Sequence, residues 1–146
     1  MYFISATRLR VRSIFFLFGF IRANEASVKV LIKTPGFVAG KELTDKGLTF
    51  WTVTIWQDET SMKTFRNSVP HRKAMQALPH WCNEASYTHW IQEEEFIPDW
   101  NTIYKKMMVE GKTTRVRKPS ARQLEKNYPP PKWKKFERPL KPSIKL

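Results

Sequence analysis

Hydrophobic and polar residues alternate in four stretches of the chain, and each stretch predicts a β-strand. Residues 2–11 alternate and are rich in Tyr, Phe, Ile, Thr and Val, which favour strands. The runs 37–43 and 48–56 are joined by Thr-Asp-Lys-Gly, a sequence typical of a hairpin loop. Residues 84–92, EASYTHWIQ, alternate again. The pattern therefore predicts one strand, then a hairpin, then a last strand.

Between these stretches the period changes to that of a helix. Polar residues recur at helical spacing from about Phe20 to Thr34 and form one stripe: Arg22, Glu25, Lys29 and Lys33. The sequence TPG then ends this helix. Asp58 is the expected N-cap of a second helix, which NSVP interrupts and Pro70 restarts. The order β-α-β-β-α-β predicts an α+β, ferredoxin-like sandwich over residues 1–96.

The C-terminal part of the chain differs from this body in composition. Residues 98–111, PDWNTIYKKMMVEG, predict a further helix within the segment 97–111. Residues 112–146 contain six prolines and many lysines, which is typical of an extended or disordered segment. We therefore expect a basic, Pro/Lys-rich tail.

The formal charge of +13 belongs almost entirely to this end of the chain. Residues 105–146 carry 14 Lys and Arg against 3 Asp and Glu, whereas residues 1–104 carry 12 against 10. The body is close to neutral and contains no RNA-binding motif, which argues against nucleic acid as the partner.

One apolar run near the start resembles part of a secretory signal. Basic residues precede the run from Ile14 to Ile21, but its eight residues are far fewer than the roughly 20 of a spanning helix. Cleavage there would also remove the strand 2–11. The single cysteine, Cys82, excludes an intrachain disulfide and suits a reducing compartment. We therefore expect a cytoplasmic protein, peripheral to a membrane if the tail docks there.

The strand 48–56 is apolar on both faces. A strand of this kind needs cover on both sides of its sheet. The two helices can cover one side, so a second layer must cover the other. The residues that point one way are Trp51, Val53 and Ile55, and those that point the other way are Leu48, Phe50 and Trp56.

Two segments resemble a known group of proteins. TPGFVAGKEL and FWTVTIWQDETSMKTFRNSVPHRKAM are similar to the dimeric α+β barrel superfamily of antibiotic-biosynthesis monooxygenases and haem-degrading enzymes. The nearest likeness is to spheroidene monooxygenase-like proteins, over about residues 2–92. The resemblance implies a homodimer whose two sheets face each other, and a cavity between each sheet and its own helices. It also implies oxidation of an apolar, isoprenoid or carotenoid molecule, with O₂ directly or with haem.

His71 is the first candidate for the chemistry. With Met75 and Leu78 it falls at positions i, i+4 and i+7 of one helical stripe, which turns the imidazole toward the cavity. Neutral imidazole serves as a general base or as a haem ligand. In the haem-degrading relatives the axial histidine lies in this helix, but matching from Trp56 places Met75 there and His71 one turn earlier. The alternative is a helix-end histidine that hydrogen-bonds to nearby backbone.

His89 is the second candidate catalytic residue. It shares a strand face with Tyr87 and Ile91, so it faces either the cavity or the dimer interface. The alternative is a sheet histidine with no role beyond its own contacts. His80 and Cys82 match no familiar zinc spacing, so we predict no metal site and read Cys82 as a small buried hydrophobe.

Large aromatic residues are the candidates for contact with an apolar substrate. Those in the first apolar run have two alternatives, extra packing in the core or dimer and a lip that touches a membrane. The predicted substrate-binding residues are Phe15, Phe16, Phe18, Phe20, Trp51, Trp56 and Phe65.

Two functions of different classes follow. The first is a monooxygenase-like enzyme that acts on an apolar molecule. The alternative is a non-catalytic, dimeric lipophile-binding or scaffold module whose tail docks on an anionic membrane. Trp133 and Phe136 support docking because they lie among Lys132, Lys134, Lys135 and Arg138, although a solvated tail without a partner is equally compatible with this composition.

Overall fold

One antiparallel sheet organises the computed structural model, which describes residues 1–133 and 135–143. Within those residues the sheet has six strands in the order β5-β4-β1-β3-β2-β6. The four inner strands have the ferredoxin-like order, which confirms the predicted fold. The strands are β1 (Tyr2–Val11), β2 (Phe37–Asp45), β3 (Thr49–Trp56), β4 (Cys82–Gln92), β5 (Lys112–Thr113) and β6 (Glu137–Leu140).

Polar side chains cap the N-termini of several helices. Ser13 caps a 3₁₀ turn at Ile14–Phe16, so the first helix begins earlier than its polar stripe predicted. The side chains of Asp58 and Asp99 each accept a hydrogen bond from the backbone N–H three residues later. The helices are α1 (Leu17–Leu31), α2 (Glu59–Arg66), α3 (Val69–Trp81), α4 (Trp100–Glu110) and α5 (Ala121–Glu125).

The first face of the sheet is covered by α1, α2 and α3. One apolar cluster joins Phe3 and Trp56 of the sheet to Met62 of α2. Another joins Val11 and Cys82 to Phe20 of α1, with Leu78 of α3 beside them. These two clusters fix the helices at opposite ends of the sheet face.

The second face is covered by the chain's own fourth helix. Trp51, Val53 and Ile55 of β3 are buried there against residues of α4, chiefly Trp100 and Ile103. We predicted a homodimer because this face needed a second layer, and that reasoning is wrong, since α4 supplies the layer within one chain. Homodimerisation itself remains a prediction, and it would need another surface.

The C-terminal segment is folded, which corrects the expectation of an extended or disordered tail for its described residues. β5 pairs with β4, and β6 pairs with β2, so the segment extends the sheet at both edges. The Gln123 amide nitrogen of α5 donates to the carbonyls of Ala85 and Thr114 at 3.2 and 2.9 Å. Prolines and lysines dominate the composition, but a few buried residues such as Tyr128 and Leu140 anchor the segment. Lys134 and residues 144–146 lie outside the described residues.

Among the described residues, no helix has both the length and the apolar character that crossing a bilayer requires.

The cover of the second face leads to a prediction about stability. Replacing Trp100, which is almost fully buried against Trp51 and donates from Nε1 to Glu137 at 2.7 Å, with Ala should lower the free energy of unfolding by roughly 3–5 kcal/mol. Urea denaturation measures this change. Val109→Ala is the matched control, because Val109 is 79% exposed in the same helix and should cost less than about 0.5 kcal/mol. Equal losses for the two variants would mean that α4 does not hold the sheet face.

Candidate functional site

A cavity of about 760 Å³ lies between the first face of the sheet and α1, α2 and α3. It exists because the middle of this sheet face carries small side chains, Ser5, Thr7, Thr52 and Thr54, between the two apolar clusters. The helices rest on the large residues at either end and leave the middle unfilled. The cavity is within the range of small-molecule sites. Its apolar walls include Phe20, Val28, Leu31, Met62, Phe65, Met75, Leu78 and Trp81.

His71 lines this cavity near the start of α3. Its Nδ1 lies 3.1 Å from the Arg66 carbonyl oxygen, and its ring meets the edge of Phe65 at 4.9 Å. A carbonyl only accepts, so Nδ1 carries the proton in this contact and Nε2 keeps its lone pair. Burial lowers the pKa of His71, which keeps the ring neutral at pH 7. The backbone hydrogen bond expected of a helix-end histidine is present, and it leaves the other nitrogen suited to accept a proton.

His89 faces the same cavity from β4, which decides between the two orientations left open by the sequence. Its ring lies against Phe3 and Tyr87, with centroids 5.2 and 5.5 Å away. Burial is the main cause that lowers the pKa of His89. Nearby Arg66 lowers it further, whereas Glu59 raises it. Both candidate histidines are therefore neutral groups on one cavity.

The part of the cavity wall near His89 carries several charges. Lys63 and Arg66 come from α2, and Lys112 comes from β5, which pairs with β4 beside Tyr87. Lys63 forms an ion pair with Glu59 at 3.4 Å. Neither Arg66 nor Lys112 takes part in an ion pair with any other described residue. This rim is therefore positively charged.

Five of the predicted site residues line the cavity, and two buried tryptophans do not. Trp51 lies on the opposite face of the sheet, 6.5 Å from Trp100, so its predicted contact with substrate is wrong. Trp56 is buried behind the wall, stacked on Phe65 at 5.8 Å, and its Nε1 donates to Thr54 at 2.9 Å. It supports two lining residues without lining the cavity itself. The five predicted residues in the lining are Phe20, Phe65, His71, Met75 and His89.

The rest of the first apolar run also lies away from the cavity, contrary to the prediction. Phe15 and Phe18 are 87% and 77% exposed on the outer side of the 3₁₀ turn and α1. Phe16 packs between the Arg12 guanidinium and His80, with ring distances of 4.3 and 4.8 Å. Of the predicted alternatives, an exposed lip suits Phe15 and Phe18.

The remaining histidine and the cysteine lie apart from the cavity. His80 is exposed at the end of α3, and Cys82 is buried at the start of β4. Burial raises the pKa of Cys82 to about 12, so its thiol is protonated and unreactive in the folded chain. In the part of the chain that the structure describes, no group of three or more His, Cys, Asp or Glu side chains is placed to hold a metal ion.

Several lining residues were missed by sequence reasoning. Asn24 and Ser27 of α1 turn into the cavity, where Asn24 donates to Glu42 at 2.7 Å. The Ser27 hydroxyl is buried, with no hydrogen-bond partner among the described residues. Their spacing, i and i+3 beside the apolar stripe of α1, was the available signal. Lys112 gave no local signal, because only the long-range pairing of β5 brings it to the cavity.

Solved structures from three bacteria have a fold similar to that of this chain. SnoaB from Streptomyces nogalater, described as a cofactor-independent oxygenase, matches with a TM-score of 0.53 and 15% identity over 67% of this chain and 98% of SnoaB. A putative antibiotic biosynthesis monooxygenase from Bacteroides thetaiotaomicron has a TM-score of 0.57 and 11% identity, over 67% of this chain and 95% of that one. A putative antibiotic biosynthesis monooxygenase from Nitrosomonas europaea has a TM-score of 0.56 and 10% identity, over 63% of this chain and 90% of that one. The fold is that of the antibiotic-biosynthesis monooxygenase-like proteins.

This likeness concerns the fold, which is the level that such low identities support. No protein-family model matches the sequence, and neither does any curated protein. The matched structures are covered almost completely, whereas about a third of this chain lies outside each match. The chain therefore carries a substantial addition to the shared fold.

Proposed function

We propose that the protein is a monooxygenase-like enzyme that oxidises an apolar molecule in the cavity, with His71 as its general base. The observation that carries this proposal is a neutral histidine with a free Nε2 lone pair on the wall of a largely apolar cavity of about 760 Å³. The description of SnoaB as a cofactor-independent oxygenase supports the reaction class. An isoprenoid, carotenoid or other electron-rich molecule suits the walls.

The proposed reaction needs no external electron donor. His71 Nε2 takes a proton from an activated CH₂ group of the substrate, and the resulting anion gives its electrons to O₂. The CH₂ becomes C=O, one oxygen atom of O₂ enters the product, and the other leaves as water with the two hydrogens. His89 lies on the same cavity and is the candidate to return a proton to the departing oxygen. Phe20, Phe65 and Leu78 line the cavity and would reduce the access of water to the reacting atoms.

Haem is the cofactor that the sequence resemblance to haem-degrading enzymes implies, and one contact of His71 supports it. A histidine that donates its Nδ1 proton to a backbone carbonyl is oriented as haem and metal ligands usually are. His71 would hold the iron through Nε2, with Met75 one turn along α3 as the other possible ligand, and the cations near His89 would meet the propionates. Bound haem would supply O₂ activation.

The general-base role gives the first functional prediction. His71→Ala should lower O₂ consumption at least about 100-fold with a tricyclic phenol whose keto form has an activated CH₂ group, in an oxygen-electrode assay without added cofactor. His80→Ala should keep the wild-type rate, because His80 is exposed outside the cavity. A wild-type rate in His71→Ala would remove the base from the proposal.

The pH profile tests the same role independently. The base must be neutral to accept a proton, and burial lowers the pKa of His71 below its ordinary 6.5. Activity should therefore fall on the acid side with a midpoint below pH 6.5, where the ring becomes protonated. A midpoint above pH 6.5 would contradict the assignment.

Haem binding has a spectroscopic test. If haemin binds through His71, titration into the wild-type protein produces a Soret band that is lost in His71→Ala and kept in His80→Ala. A band lost only in Met75→Leu would assign the iron to Met75. The absence of a shifted band at micromolar protein would reject haem as the cofactor.

Docking on an anionic membrane is a second candidate function, favoured by exposed aromatics in the basic C-terminal segment. Trp133 and Phe136 are in ring contact at 5.6 Å and are exposed beside Lys132 and Lys135. Aromatic and basic side chains together suit the interface of an anionic bilayer. Arg138 is already engaged by Glu25 and Glu42, so it contributes little.

Liposome co-sedimentation tests this docking. The wild-type protein should bind anionic vesicles more than neutral ones, and Lys132→Gln/Lys135→Gln should weaken binding several-fold, as should high salt. Arg22→Gln/Lys73→Gln removes two exposed cations elsewhere and is the matched control. Truncation at Gly111 is not a usable control, because it would remove β5, α5 and β6. Tight binding to single-stranded RNA without vesicle binding would contradict the membrane reading.

A further inference from the structure

We infer that the cavity takes an apolar molecule that bears an anionic group, and that Arg66 and Lys112 hold this group beside His89. The inference deepens the proposed function, on which it rests only for the view that the ligand is a substrate. Its ligand class is a carboxylate on an apolar body, such as a long-chain polyene acid, and the propionates of haem share that chemistry.

The cavity wall near His89 has more positive than negative charge. Three cations, Lys63, Arg66 and Lys112, line the cavity with His89, together with two anions, Glu59 and Glu42. Glu42 is engaged by Arg138, which lies outside the cavity lining. Glu59 is already paired with Lys63 at 3.4 Å. The other two cations have no ion-pair partner among the described residues, so the rim keeps an uncompensated positive charge of two.

Arg66 and Lys112 come from two distant elements of the chain. Arg66 is the last residue of α2, whereas Lys112 is the first residue of β5 and is brought to the same cavity by its pairing opposite Tyr87. Both cations are exposed on the wall of the same cavity, so both attract an anion that enters it beside His89. A carboxylate there would accept charge-assisted hydrogen bonds from the two side chains.

The rest of the cavity lining is largely apolar, with Phe65, Met75 and Leu78 on the helix side. An inorganic anion alone would leave these walls in contact with water. A molecule with one charged end and a long apolar body satisfies both parts of the cavity.

Such a ligand would also act on His89. A carboxylate near His89 favours its protonated form, so binding should raise the pKa of His89 from its lowered value. The titration of His89 therefore gives a signature that a loss of folding does not produce.

The experiment uses the full chain and cis-parinaric acid, a fluorescent polyene carboxylic acid, with its methyl ester as the uncharged control. The acid should bind at least about tenfold more tightly than the ester. Arg66→Gln and Lys112→Gln should each weaken binding of the acid by about tenfold and leave binding of the ester unchanged. Arg66→Gln keeps the backbone carbonyl that His71 contacts, so it leaves the candidate base in place.

Matched substitutions separate this site from general surface charge. Arg22 and Lys73 are exposed and lie outside the cavity, so Arg22→Gln and Lys73→Gln should bind the acid as the wild type does. An NMR titration should place the pKa of His89 higher with the acid than with the ester. Equal affinity for acid and ester, equal weakening by the control variants, or no binding of either compound would each overturn the inference.

Two further arms identify the source of the anion and separate this inference from the proposed function. If haemin, but not its dimethyl ester, is weakened by Arg66→Gln and Lys112→Gln while the polyene acid is unaffected, the anionic group is a haem propionate. His71→Ala should keep the affinity for the acid. Binding of the acid without O₂ consumption would reject the proposed oxidation and leave the inference standing.

Discussion

A buried ion pair between Arg8 of β1 and Glu84 of β4 is the interaction around which the C-terminal segment is arranged on the sheet. Arg8 Nη1 and Glu84 Oε1 are 2.7 Å apart, and both side chains are almost completely buried. The segment completes their environment, since Ser120 donates to the other Glu84 oxygen at 2.8 Å and the Tyr128 ring lies 4.3 Å from the guanidinium. Buried charges that lose their partners cost several kcal/mol. Because the C-terminal segment completes the burial and the hydrogen bonding of this pair, its folding is coupled to that of the sheet.

This coupling explains why the cavity lies on one face only. The second face is filled by α4, which the C-terminal segment holds through the hydrogen bond from Tyr104 to the Tyr128 carbonyl at 2.8 Å. The first face is left to the three other helices and to the cavity. The same segment also supplies Lys112 to the cavity wall through β5. The part of the chain that closes one face thus contributes charge to the site on the other.

The order of β1 to β4 and of the helices between them was predictable from periodicity, because each of these elements has a regular pattern of hydrophobic and polar residues. The alternation in 48–56 also predicted correctly that both sheet faces are covered, since a strand apolar on both sides has no other stable environment. It did not reveal the source of the cover. Trp100, Ile103 and Met107 form an apolar stripe in α4, but a stripe states only that a helix is buried. The tail was misjudged because a few buried anchors, such as Tyr128, determine its structure while prolines and lysines dominate its composition.

The candidate site was only partly predictable, because residue type does not tell which side of an element a residue occupies. Trp51 and Phe50 are neighbours of similar character, yet the two-residue period of a strand sends Trp51 to α4 and Phe50 to the cavity side. The same reasoning applies to α1, where Phe20 faces inward and Phe18 faces solvent. His71 was identified because a helical stripe that includes Leu78 has one possible inward side. The positive charge at the rim depends on contacts between distant segments, which no local sequence pattern encodes. Lys112, for example, is recognised as a cavity residue only from the pairing of β5 with β4.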